Sequence, residues 1–69
     1  MKEQITQLLD DFGEVQVYMD SGAAFEVHRD VNLGADAIDF EDPDGETFVL
    51  PYEAVEYVSA HRSHRVREA

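Results

Sequence analysis

One four-residue stretch, Asp42-Pro43-Asp44-Gly45, does most to limit the folds open to this chain. Pro43 presets φ at the first central position of a turn, and Gly45 accepts the positive φ that closes it. A loop of Pro43, Asp44 and Gly45 sets Asp42 opposite Glu46, Phe40 opposite Phe48 and Ile38 opposite Leu50. The large apolar residues then share one face. A slip of one residue would set Phe40 against an acidic or polar partner, so burial selects this register. The acids around the bend (Glu41, Asp42, Asp44, Glu46) read as a solvated turn. They lack the alternating ligands and closing bidentate Glu of a calcium loop.

The rest of the chain arranges itself about that hairpin. Residues 2–12, KEQITQLLDDF, carry Ile5, Leu8, Leu9 and Phe12 at helical spacing, with Gly13 as the stop. This stripe is expected to pack on the domain's own sheet. Asp10 and Asp11 lie at the unfavourable end of the helix dipole. From Glu14 to Met19 apolar and polar residues alternate, and a second strand carries Ala23, Phe25 and Val27 on one face. A loop of Asp20, Ser21 and Gly22 opposes Val17 to Phe25 and Val15 to Val27, and face matching prefers it to a shorter one.

After Val27 the alternation fails. Arg29 falls on the inward parity, which predicts a bulge or strand end near residues 28–30. Val31-Asn32-Leu33-Gly34 reads as a connection to a third strand, from about Asp36 to Glu41. The fourth is expected from Glu46 to Leu50, and its Phe48-Val49-Leu50 run, apolar on both faces, places it centrally in the sheet. Pro51 interrupts the ladder. Tyr52-Glu53-Ala54 then reads as one tight helical turn before a short strand from Val55 to Ala60. A helix from Pro51 to about His64 is the alternative, disfavoured by the β-prone Val55, Tyr57 and Val58. Residues 62–69, RSHRVREA, read as a flexible tail to a single domain over residues 1–61.

Sixteen acids against five bases leave 69 residues with a formal charge of −11, and Lys2 is the sole lysine. Self-repulsion opposes compaction in dilute buffer, whereas molar salt shortens the Debye length to about 3 Å. Acid-rich, lysine-poor chains of this kind resemble those of halophilic archaea. There is no cysteine to form a disulfide or thiolate staple. The core is small for the number of residues to be ordered, so burial against further copies or another protein is expected. No apolar run approaches the roughly 20 residues of a membrane span, and no signal-peptide pattern opens the chain. The expected location is the cytoplasm, with no membrane partner.

A helix, four meandering strands, a one-turn helix and a fifth short strand is the element order of small SH3-like barrels. Over roughly residues 3–60 the chain resembles the Sm-like and Hfq-like group among them. The local echoes are VQVYMDSGAAFEV, the triplet Val31-Asn32-Leu33, and PYEAVEYV as closing turn and strand. The resemblance implies an α+β fold, an N-terminal helix on a five-stranded antiparallel meander closed into a partly open barrel. It also implies an RNA-base pocket in which Asn32 takes part. Pro51-Tyr52-Glu53 stands where the family carries an Arg-Gly pair, and the span from Gly22 to Asn32 is shorter than the family's.

Nucleic-acid affinity rests largely on phosphate neutralisation, and a broad basic face is missing. The positive charge concentrates in the tail, where Arg62, Arg65 and Arg67 join Asn32 as candidate RNA contacts. Tyr18, Tyr52 and Tyr57 are candidates for base stacking or for an oligomer interface. His61 and His64 could join His28 at a metal only if the tail folds over the second strand, so no metal or cofactor is expected. Glu26 and His28 share a strand face as an acid–base pair, but Ser21, Ser59 and Ser63 lack nucleophile context. These features predict a non-enzymatic, self-assembling interaction module, with Sm-like RNA binding as the alternative.

Overall fold

The structure, a computed structural model, describes residues 1–61. It is an α+β chain of one helix and six strands in two antiparallel sheets. Helix α1 spans Lys2–Phe12, followed by β1 (Glu14–Met19), β2 (Ala24–His28) and β3 (Asn32–Leu33). Then come β4 (Ala37–Glu41), β5 (Thr47–Pro51), a 3₁₀ turn (Tyr52–Ala54) and β6 (Val55–Ser59). Among these elements no helix is long and apolar enough to cross a membrane.

The two hairpins take the registers that face matching selects. Val17 lies opposite Phe25 and Val15 opposite Val27; Phe40 lies opposite Phe48 and Ile38 opposite Leu50. Gly22 and Gly45 close the bends at φ of 99° and 88°, a region closed to most side chains. The carboxylate of Asp42 accepts from the backbone amides of Asp44 (3.0 Å) and Glu46 (2.9 Å). Its acidity therefore serves the turn itself, as an Asx-type acceptor.

Three expectations are corrected. The sheet is not one five-stranded meander but two of three strands, ordered β2-β1-β6 and β3-β4-β5. Val31 to Gly34 is not only a connection, because Asn32 and Leu33 pair with Asp39 and Ile38 of β4. The fourth strand expected from the sequence, β5, lies at a sheet edge rather than centrally, and Val49 is 61% exposed. The physical cause of the first two is a corner at residues 29–31, where the chain leaves the first sheet and enters the second. The 3₁₀ turn makes a second corner and returns the chain to pair β6 with β1. That turn and strand decide against a helix from Pro51 onward. Pro51 itself ends β5, where its missing N–H costs the ladder least.

Arg29 explains its inward parity. Its Nε donates to the carbonyl of Leu9 (3.0 Å) and its Nη2 to that of Asp10 (3.0 Å), at the end of α1. Gly13, left-handed at φ 86°, donates its own N–H to Leu9. The helix carries no basic residue in its last turn, and the guanidinium arrives from just after β2, whose His28 pairs with Glu14 beside the helix end, to meet the negative dipole end.

The core lies between α1 and the two sheets. Ile5, Val15, Val17, Val27 and Ile38 are the most deeply buried, joined by Leu9, Met19, Leu50 and Val55. The other two members of the helical stripe, Leu8 and Phe12, are half-buried. Phe25 joins the sheets, its ring centroid 6.2 Å from that of Phe40 and 5.2 Å from that of Phe48.

Tyr52 anchors the second corner. Its hydroxyl donates to the carbonyl of Gly34 (2.8 Å), and burial, then the charges of Asp36 and Glu3, raise its pKa above the ordinary 10.0. A raised folded-state value stabilises the fold below the unfolded pKa, and this is lost as pH climbs through the folded one. Thermal melts against pH should find Tyr52→Phe about 1 kcal/mol less stable than the parent at neutral pH. That difference should shrink and reverse as pH rises above about 10. A gap constant across that range would remove the hydroxyl from the account.

Candidate functional site

The predicted RNA residues divide sharply. Asn32 stands exposed on β3, directly opposite Asp39 of β4. Asp39 has Val49 as its other cross-strand neighbour, and its Oδ1 is buried without a hydrogen-bond partner among the described residues. Arg62, Arg65 and Arg67 lie outside the described residues, as does His64. His61 is exposed.

The tyrosines also part company. Tyr18 and Tyr57 are cross-strand partners on the outer face of the first sheet, stacked at 4.5 Å with planes 12° apart. Tyr52 is committed to Gly34 and to the corner. Ser21 is a turn residue whose Oγ accepts from the Ala23 amide (3.3 Å).

A more definite constellation occupies the open face of the β1–β2 hairpin. Glu14 pairs with His28 across the strands, and Glu26 lies two residues before His28 on the same face. The imidazole sits between the two carboxylates, with Nδ1 3.8 Å from Glu14 Oε1 and Nε2 3.4 Å from Glu26 Oε2. All three side chains are about half exposed. The Glu26 and His28 pair is legible in strand parity. Glu14 requires the register as well, since Val15 opposite Val27 carries Glu14 opposite His28.

Beside this trio opens a groove of about 530 Å³ between the end of β2 and the β4–β5 bend. Glu26, His28, Asp30, Glu41 and Asp42 line its polar side, and Phe40 contributes to its apolar side. Its charge repels polyanions and attracts cations.

The chain matches no protein-family model, and neither the curated proteins nor the solved structures compared with it give a significant match.

Proposed function

We propose that this chain is a non-enzymatic interaction module, a small SH3-like, Sm-like barrel left partly open, that assembles with further copies of itself in concentrated salt. The observation that carries the reading is that both sheets have unfinished edges with large apolar residues exposed on them. Strands β2 and β6 of the first sheet and β3 and β5 of the second each have one hydrogen-bonded neighbour among the described residues, and the reading rests on β5 and β6. Val49 (61% exposed) and Tyr57 (51%) stand on those same strands. Unpaired strand edges are templates for pairing with another chain, and native proteins usually cover or charge them. Two corners that pass the chain between sheets around one apolar cluster support the barrel. The charge of −11 supports the high-salt setting, because screening allows such acidic surfaces to approach.

Sm-like RNA binding is the second reading, favoured by Asn32 beside the orphaned oxygen of Asp39. A buried carboxylate oxygen without a partner is costly, and a base edge offering an N–H would satisfy it. The acidic surface acts against it.

Sedimentation velocity in molar KCl tests both. The parent chain should sediment as an oligomer, and Val49→Asp, which places a charge on the β5 edge, should shift it to monomer. A parent chain that is monomeric at every concentration overturns self-assembly. Added oligoribonucleotide that cosediments, and fails to do so with Asn32→Ala or after truncation beyond Ala60, would establish the second reading.

A further inference from the structure

We infer that Glu14, Glu26 and His28 form a binding site for a divalent transition-metal ion of the Zn²⁺ class, separate from the strand edges proposed for assembly. One donor atom from each residue lies within 4.8 Å of the other two. Bonds of about 2.0–2.2 Å at tetrahedral angles hold two ligands of one zinc ion about 3.4 Å apart. The gap between His28 Nε2 and Glu26 Oε2 is 3.4 Å. That pair already stands at ligand spacing; Glu14 faces the other ring nitrogen, Nδ1, at 3.8 Å, and its half-exposed side chain must swing to the Nε2 side to supply the third donor.

The scaffold favours the site. Glu14 and His28 are a direct cross-strand pair, and Glu26 follows on the same face, so all three project from one register-locked hairpin rather than from loops. Bringing two carboxylates to one imidazole in a chain of charge −11 adds like-charge repulsion, which a dication relieves. The imidazole decides the class of ion. Neutral histidine suits Zn²⁺ and its neighbours, whereas Mg²⁺ and Ca²⁺ take oxygen ligands. Three protein donors leave a fourth position for water or an exchangeable ligand, and the acidic groove opens beside Glu26 and His28. The trio differs from the tail histidines, which a zinc site built on His61 and His64 would need.

Calorimetric titration of the 69-residue chain with ZnCl₂ in molar KCl near neutral pH tests the assignment. A single saturable equivalent is expected, undisturbed by an equal concentration of Mg²⁺. His28→Gln and Glu26→Gln should each weaken it about tenfold or more, since disturbing even a supporting residue of a metal site costs that much. Both side chains are half exposed, and unchanged circular dichroism would show the fold intact. The double substitution His61→Ala, His64→Ala should bind as the parent does. Absence of saturable binding, binding indifferent to His28→Gln, displacement by equal Mg²⁺, or loss in the double tail variant would each overturn the site.

Discussion

Replacing Ile38 with alanine is expected to unfold most of the population at room temperature. Ile38 is 0% exposed and is the second residue of β4, paired with Leu33 on one side and Leu50 on the other. It belongs to the same cluster as Val15, Val17 and Val27 of the opposite sheet and Ile5 of the helix. Removing three carbons there forfeits their burial and leaves a cavity, at a cost of about 2–5 kcal/mol. A core in a chain this short supplies only about 3–5 kcal/mol of net stability. The loss is thus comparable to the whole. The measurement is thermal and urea unfolding followed by circular dichroism, with Ile38→Val expected to lose only about 0.5–1.5 kcal/mol. Glu53→Ala, exposed in the 3₁₀ turn, should stay within about 0.5 kcal/mol of the parent. An Ile38→Ala chain melting within a few degrees of the parent would place the core elsewhere.

Both hairpins are legible in the sequence because two independent constraints meet in each. A glycine fixes where the bend closes, and apolar parity fixes which residues face each other. Phe40 opposite Phe48 and Val17 opposite Phe25 follow from that alone. Parity fails where tertiary partners set burial. Phe48-Val49-Leu50 is apolar on both faces, which reads as a central strand, yet no described element covers the β5 edge and Val49 faces outward. A run of two residues such as Asn32–Leu33 is too short to show any period, so β3 emerges only from its pairing with β4. The metal trio lies between these cases. Glu26 and His28 are visible as strand neighbours, and Glu14 joins them only when the hairpin register is extended to its last pair. The RNA residues fare differently, since Asn32 is placed by a described strand and the tail arginines are not.

The helix depends on a residue no local pattern would connect to it. Asp10 and Asp11 put two negative charges at the end of α1 where carbonyls already face outward, and nothing basic in the last turn offsets them. Arg29 corrects this from the corner after β2, through bonds of 3.0 Å to Leu9 and 3.0 Å to Asp10. Hydrogen bonds from a charged donor contribute about 1.5–3 kcal/mol in sheltered settings. Here one is partly buried and one exposed, and Leu9 keeps its bond from Gly13. Arg29→Ala should therefore cost about 1–3 kcal/mol, enough to lower the melting temperature by roughly 5–20 °C in a domain of this size. Arg29→Lys keeps a charge near the dipole but loses the fork that spans two carbonyls, and should recover at most about 1 kcal/mol. Raising KCl to molar levels should narrow the gap between the Lys and Ala variants, since that gap is mostly charge, and leave the gap between Arg and Lys largely intact. Amide exchange should locate the loss in the last turn of α1 and at the corner after β2. An Arg29→Ala chain as stable as the parent would mean that the Gly13 cap alone holds the helix end, and the inward turn at Arg29 would then be without a stabilising role.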